Sequence, residues 1–394
     1  MMKYDFDSII SRYNTNSVKW DFTEQFFQVK DIWPMWIADM DFRVPQPVID
    51  AIKRVADHGV YGYTDIGESY YEALIEWMRR RHQWDIRKEW VVLSPGVVPA
   101  IRMLIRAFTG PRDEVIIQTP VYYPFFDAIR DNGCEILDNP LCLDNEQYVM
   151  DFADLERKIS PRTKMLLLCN PHNPVSRVWK EEELRRLGDL CLKNDILVVS
   201  DEIHEDIVYN GLRHVPFPMV SREFTDTCVV CTAASKTFNL AGLQTSNIII
   251  SNPELRDYFR KAVRSCGVQS PNMFGVVATE AAYRYGEPWL DQLLQYLQEN
   301  VAFLKEYVTE KIPGVKVIEP QGTYLLWLDF RKCGINPARL GKFVREDAKV
   351  GLEGGALFGC KEDGFERINI ACPKSTLAEG LGRLERTVAL LRNC

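Results

Sequence analysis

A lysine and several polar residues stand where predicted strands end. Lys236 closes the run TAASK, which continues from the apolar segment 228–232, and Asp201 directly follows the apolar segment 196–200. Asn173 in NPHNP and Gly96 in SPGVV follow two further apolar segments. Because ligands of open parallel sheets bind beyond the carboxyl ends of the strands, we expect these groups to meet in one crevice.

An amine and a carboxylate in one crevice suit the chemistry of pyridoxal phosphate. The Lys236 amine can join the cofactor aldehyde as a Schiff base and can act as a general base once it is free. The Asp201 carboxylate would keep the pyridine nitrogen protonated, which makes the ring an electron sink. Taken singly, Lys236 is explained by a solvated loop and Asp201 by a helix cap, so the pair carries the prediction.

The phosphate of such a cofactor requires hydrogen-bond donors. The segment SPGVV opens a predicted helix, whose first backbone N–H groups form an anion site at Gly96, Val97 and Val98. The hydroxyls of Ser235 and Thr232 would add two more donors.

Two side chains would contact the cofactor ring. Asn173 would donate to the phenolic oxygen, and Tyr122 in TPVYYPF would stack on the ring. A turn explains the Asn-Pro pair and core packing explains the tyrosine equally well.

The elements that must position these groups alternate between strand and helix. Such a rhythm, with continuously apolar strands, predicts an α/β fold with a mostly parallel sheet sandwiched by helices. A pattern of strand, helix, strand and helix near the end predicts a smaller α+β C-terminal domain.

We expect an N-terminal arm over 1–44 that packs with the small domain, a large cofactor-binding domain over 45–286 and the small domain over 287–394. The predicted strands are 91–93, 114–119, 164–169, 196–200, 228–232, 247–251, 324–329 and 366–371. The predicted helices are 47–58, 68–82, 99–108, 123–131, 181–193 and 287–311.

Composition narrows the classes of partner. The 394 residues are 46% hydrophobic and 26% charged, with a net charge of −7, which is typical of a globular protein and argues against nucleic acid as a partner. We found neither a membrane-spanning stretch nor a signal peptide, so we expect a cytoplasmic protein without a membrane partner. The eleven cysteines are expected to be reduced, and the C-x-x-C pair Cys228 and Cys231 to pack in the core rather than bind metal.

Seven motifs along the whole chain resemble one known group. The segments PMWIADMDF, YGYT, SPGVVPA, TPVYYPF, NPHNPVSRVW, SDEIHED and TAASKTFNLAGLQ are similar to those of the MalY/PatB-type cystathionine β-lyases, or C-S lyases. That group belongs to the aminotransferase superfamily of fold-type I enzymes that depend on pyridoxal 5'-phosphate. The resemblance implies that fold, that cofactor and a homodimer whose active site is shared between subunits.

The resemblance also implies roles for individual residues. Lys236 would be the Schiff-base lysine, with Asp201 at the pyridine nitrogen, and Tyr61 would reach in from the neighbouring subunit and share the catalytic work. Arg367 in ERINIACP would pair with the substrate carboxylate. The remaining implied contacts come, for the cofactor, from Asn173, Tyr122, Gly96, Val97, Val98, His204, Thr232 and Ser235, and, for the substrate, from Asn173 and Trp36.

Two positions differ from a typical aminotransferase. His204 stands where a tyrosine is usual, a change shared with the MalY/PatB group, and Gln244 stands where an arginine usually helps to neutralise the phosphate. The predicted set of phosphate contacts therefore lacks one cation, whereas the predicted pairing of Lys236 with Asp201 is unaffected.

The resemblance implies α,β-elimination as the reaction. A substrate such as cystathionine would lose its Cα proton to Lys236 and its thiolate from Cβ, giving a thiol, pyruvate and ammonia. The motifs leave two alternatives open. One is an aminotransferase on the same scaffold, and the other is a cofactor-binding regulatory protein that acts through a transcription factor.

Overall fold

A large mixed sheet forms the centre of the molecule. The computed structural model describes residues 3–268, 270–361 and 364–392. Within them a seven-stranded sheet has only one strand, Ser246–Ile249, that runs antiparallel to its neighbours, and the other strand pairs are parallel. The mostly parallel sheet is thereby confirmed. The spatial order is Val91–Ser94, Ser246–Ile249, Cys228–Thr232, Leu197–Asp201, Thr163–Cys169, Glu114–Ile117 and Glu135–Asp138.

Helices cover both faces of this sheet, which explains its continuously apolar strands. In Thr163–Cys169, Leu166 and Leu167 belong to hydrophobic clusters on opposite faces, and both are buried. Cys228 and Cys231 divide in the same way, so the C-x-x-C pair packs in the core as predicted. Nine cysteines of the described ranges are free thiols, namely Cys134, Cys142, Cys169, Cys191, Cys228, Cys231, Cys266, Cys333 and Cys372, and Cys394 lies outside those ranges.

Most of the predicted helices are confirmed within one or two residues. Their amphipathic periods turn an apolar stripe toward the buried core, which is why the pattern located them. The longer helices are Gln46–His58, Glu68–His82, Val97–Phe108, Pro124–Asp131, Glu181–Lys193, Pro253–Ser265, Met273–Tyr285, Glu287–Lys311 and Lys374–Arg392, with shorter ones at Val18–Asp21, Thr23–Phe27, Phe152–Lys158, Phe217–Val220, Ala234–Thr237 and Leu340–Lys342. The sequence did not predict the helices Pro253–Ser265 and Met273–Tyr285, nor the strand Glu135–Asp138.

A second, smaller sheet lies in the C-terminal part. Its four strands are antiparallel, in the order Lys316–Val317, Leu325–Asp329, Phe365–Asn369 and Glu353–Gly354. Two short pairs complete the strands of the described ranges, Trp33–Pro34 with Val350–Gly351 and Cys142–Asp144 with Gln147–Val149.

The N-terminal arm contacts the C-terminal elements. Trp33–Pro34 pairs with Val350–Gly351, and the ring of Phe6 packs edge-on against Trp289, with 5.6 Å between ring centroids. The packing of an arm on a small domain and the three domain boundaries remain a prediction. No helix in the described ranges is both long and apolar enough to cross a membrane.

Candidate active site

A cavity of about 180 Å³ opens at the carboxyl ends of the parallel strands. Register pairs Cys169 with Asp201 and Asp201 with Cys231, so the residues after these three strands converge on one point. Nine residues predicted to bind a cofactor line the cavity: Gly96, Val97, Val98, Tyr122, Asn173, Asp201, His204, Ser235 and Lys236.

The Lys236 amine lies on the wall of this cavity. Lys236 belongs to the one-turn helix Ala234–Thr237, which begins directly after the strand Cys228–Thr232. Its Nζ donates a hydrogen bond of 2.6 Å to the carbonyl of Ala38. Burial lowers the pKa of Lys236 to about 8, because a desolvated ammonium is disfavoured. About a tenth of this amine is therefore uncharged at pH 7, far more than for an ordinary lysine.

Asp201 ends the neighbouring strand and presents a buried carboxylate to the same cavity. One of its oxygens, Oδ1, accepts a hydrogen bond of 3.2 Å from the backbone N–H of Ile203. Burial nevertheless raises the pKa of Asp201 to about 7, and the attraction of Lys236 offsets this only in part. Neighbouring cations do not fully compensate the charge of this carboxylate, which fits a site for a protonated pyridine nitrogen.

The opposite end of the cavity offers donors for an anion. The helix Val97–Phe108 begins there, and its first residues, Val97 and Val98, have backbone N–H groups without acceptors inside the helix. Ser235 also lines the cavity. Gln244, which stands at the position of the usual aminotransferase arginine, lies on the cavity wall as well. These donors fit a bound phosphate group. Because Gln244 is neutral, fewer positive charges would surround that phosphate than in a typical aminotransferase.

His204 lies on the cavity wall as an uncharged imidazole. Burial, together with the cations Lys236 and Arg367, holds its pKa well below the usual range. Its ring meets Tyr324 edge-on at 5.8 Å between centroids, and its Nδ1 has no hydrogen-bond partner among the described residues. Because His204 lines the cavity and keeps a ring nitrogen without a partner, it is a candidate contact for a bound group.

Arg367 lies behind the cavity and connects to it through Asn173. Its Nη1 donates to the Asn173 Oδ1 at 2.8 Å, and its Nη2 donates to the carbonyl of Trp36 at 3.1 Å. Burial lowers the pKa of Arg367 to about 10, so the guanidinium remains charged at neutral pH. The structure thus places a buried cation directly beside a cavity-lining amide.

Two predicted site residues, Thr232 and Trp36, direct their side chains away from the cavity. Thr232 points to the face of the sheet opposite Asp201, because residues alternate along a strand, and its hydroxyl donates to Glu205. Its predicted phosphate contact therefore lacks support from the geometry. The indole of Trp36 donates to the Lys19 carbonyl at 3.2 Å, so Trp36 offers the site its backbone carbonyl only.

Tyr61 is exposed to solvent rather than enclosed in the cavity. Its side chain is 60% exposed, and its hydroxyl donates to the carbonyl of Ala56 at 2.9 Å. It does not line the cavity of its own chain. The neighbouring Val60 and Tyr63 are exposed as well, Val60 at 67% and Tyr63 fully.

Sequence reasoning missed three contributors to the site. Ala38 offers its carbonyl to Lys236 and also accepts a hydrogen bond of 3.0 Å from the Tyr324 hydroxyl. Glu353 forms a buried ion pair with Arg367. No local spacing identifies Glu353, because only the pairing of two distant strands brings it opposite Arg367.

Comparison with known proteins places the chain in a family. The chain belongs to the family of class I and II aminotransferases, whose model matches residues 34–384. It is 44% identical over 386 residues to the cystathionine β-lyase PatB of Bacillus subtilis, a match that covers 98% of this chain and 100% of that protein.

Two solved structures have the same fold. Cystalysin from Treponema denticola, whose crystal structure contains pyridoxal 5'-phosphate, superposes with a TM-score of 0.95 at 39% identity, covering 99% of this chain and 100% of that one. A pyridoxal-phosphate-bound C-S lyase from Staphylococcus hominis gives 0.92 at 34% identity, covering 98% of both chains. The fold-type I architecture and the likeness to the PatB group are thereby confirmed.

Proposed function

We propose that this protein is a pyridoxal-phosphate-dependent C-S lyase. It would cleave the Cβ–S bond of cystathionine or a related S-substituted cysteine to give a thiol, pyruvate and ammonia. The observation that carries the proposal is the meeting of the Lys236 amine and the Asp201 carboxylate in one cavity. The similarity to C-S lyases over almost the whole chain supports the same reaction.

The residues around the cavity divide into groups that would hold different parts of the cofactor. Asp201 would face the pyridine nitrogen, and Tyr122 would lie over the ring. Ser235 and the N–H groups at the start of helix Val97–Phe108 would bind the phosphate. When bound, the cofactor supplies an electron sink that stabilises negative charge at the substrate Cα.

Lys236 is the residue that we propose to move the Cα proton. With a pKa of about 8, its amine can be uncharged before the reaction and can accept a proton during it. The Ala38 carbonyl, 2.6 Å from Nζ, would hold the resulting ammonium at the cavity wall. Elimination then requires that a thiolate leave Cβ before this proton is returned.

Arg367 and Tyr61 would complete the substrate site. Arg367 offers a planar guanidinium, which suits the α-carboxylate of an amino acid. We infer that Tyr61 acts in the cavity of a second subunit, since its side chain is exposed in its own chain and lies next to exposed Val60 and Tyr63. The protein would then be a homodimer with shared sites.

The test compares two reactions of one preparation. The enzyme loaded with cofactor is incubated with cystathionine, cysteine, other S-substituted cysteines and alanine, and pyruvate is measured without and with 2-oxoglutarate. We expect pyruvate and free thiol from the sulfur amino acids without any keto acid. Glutamate formation that depends on 2-oxoglutarate, with no thiol release, would instead identify an aminotransferase.

A further inference from the structure

A carboxylate of the chain already pairs with Arg367, the residue proposed to bind the substrate carboxylate. Glu353 and Arg367 are direct partners across two antiparallel strands, so their side chains share one face of the small sheet. They form an ion pair between Glu353 Oε2 and Arg367 Nη2, and both side chains are buried, with the residues 6% and 2% exposed.

The hydrogen-bond pattern of Arg367 shows what this ion pair blocks. A guanidinium grips a carboxylate with two N–H groups along one edge, either Nε with Nη2 or Nη1 with Nη2. Both edges include Nη2, whose two hydrogens are directed to Glu353 and to the Trp36 carbonyl. Nε has no partner among the described residues, so single hydrogen bonds remain available while a two-pronged grip does not.

We propose that Glu353 is a specificity-determining residue that occupies the carboxylate site of Arg367 until a substrate carboxylate displaces it. Glu353 would orient the buried guanidinium and balance its charge. A substrate carboxylate would bind only if its interaction with Arg367 were strong enough to displace Glu353. The inference rests on the proposed role of Arg367 in the C-S lyase reaction.

The test measures binding of propionate, a carboxylate without the amino group needed to react with the cofactor. Titration calorimetry gives its Kd for the cofactor-loaded and cofactor-free protein. In Glu353→Gln the size and one acceptor are kept while the competing charge is removed, so we expect propionate to bind about tenfold more tightly, because a charged acceptor holds Arg367 more strongly than a neutral one. The KM for cystathionine should fall by a similar factor, with kcat within about threefold of the wild type.

Glu366→Gln is the matched control. Glu366 is buried in the strand of Arg367 but points to the opposite face of the small sheet, so we expect unchanged propionate binding. Glu353→Asp keeps the charge one methylene further from Arg367, and it should tighten binding by a smaller factor. Equal or weaker binding of propionate by folded Glu353→Gln, or by Glu353→Asp if the first variant does not fold, would overturn the inference.

Arg367→Lys separates this inference from the proposed function. If the lysine variant binds propionate as the wild type does, Arg367 is not the carboxylate site and the proposed role fails. If it binds weakly while Glu353→Gln shows no gain, only the inference about Glu353 fails. Pyruvate release from cystathionine by the wild type is a separate readout that tests the lyase activity itself.

Discussion

Replacing Asp201 by asparagine would remove the charge that we propose to hold the cofactor ring in its protonated form. The structure gives the size of the effect. Burial raises the pKa of Asp201 from 3.8 to about 7, which is a difference of about 3 units or about 4 kcal/mol. With this pKa an isolated Asp201 would be about half ionised at pH 7, and a protonated ring nitrogen beside it would complete the ionisation. Breaking such a buried ion pair costs about 3–5 kcal/mol.

Without that stabilisation the ring would lose its proton at neutral pH. We expect Asp201→Asn to lower kcat for pyruvate formation from cystathionine by about a thousandfold, since a loss of about 4 kcal/mol corresponds to about that factor. The variant should still bind the cofactor, because Lys236 and the phosphate donors are unchanged, and its visible absorbance would show this. Glu366→Gln, a buried carboxylate outside the cavity, is the control. A loss smaller than tenfold in a cofactor-loaded Asp201→Asn would refute the reasoning.

Three further outcomes follow from the same geometry. Reduction of the cofactor-loaded protein with borohydride should attach the cofactor to Lys236 alone, as peptide mass mapping would show, and label at another position would contradict the assignment. Mixing inactive Tyr61→Phe with inactive Lys236→Ala should restore about a quarter of the wild-type activity if each site takes Tyr61 from the partner subunit, whereas no recovery in proven mixed dimers would exclude the shared site. Burial raises the pKa of Glu205 to about 8 from 4.5, so its contribution to stability is fully present below pH 4.5 and is lost progressively as the pH rises from 4.5 to 8. Glu205→Gln should therefore flatten the decline of the melting temperature between about pH 5 and pH 8 in calorimetry, and an unchanged decline would contradict this.

The sequence predicted the elements and the chemistry of the cavity where local signals were strong. Lys236 and Asp201 each follow a buried strand, and the order of strands in an α/β sheet brings such positions together. Glu353 could not be identified from the sequence, because it meets Arg367 only through the pairing of its strand with Phe365–Asn369. No short motif indicates that pairing. Thr232 was assigned to the cavity because the hydroxyl is near Lys236 in sequence, but the alternation of the strand turns it away.

Buried acids away from the cavity account for the rest of the motif SDEIHED. Four acidic residues lie within six positions, and Asp201 alone was assigned to the cavity because it directly follows the apolar segment 196–200. Strand alternation sends Glu202 to the opposite face, where it accepts a hydrogen bond from the backbone N–H of Phe217 at 2.9 Å and meets the His214 Nε2 at 2.8 Å. Asp206 lies 2.9 Å from the His82 Nε2 and accepts a hydrogen bond from Thr237, next to Lys236.

These buried contacts tie the segment after Asp201 to the segment around Lys236. The Thr237 hydroxyl lies 2.7 Å from Asp206, and Thr232 donates to Glu205, so two hydrogen bonds join the ends of neighbouring strands. Lys236 and Asp201 project from the two segments that these bonds connect. The acids that do not line the cavity thus fix the spacing of the amine and the carboxylate, and we expect their removal to reduce stability and cofactor affinity while leaving the proton chemistry of Asp201 unchanged.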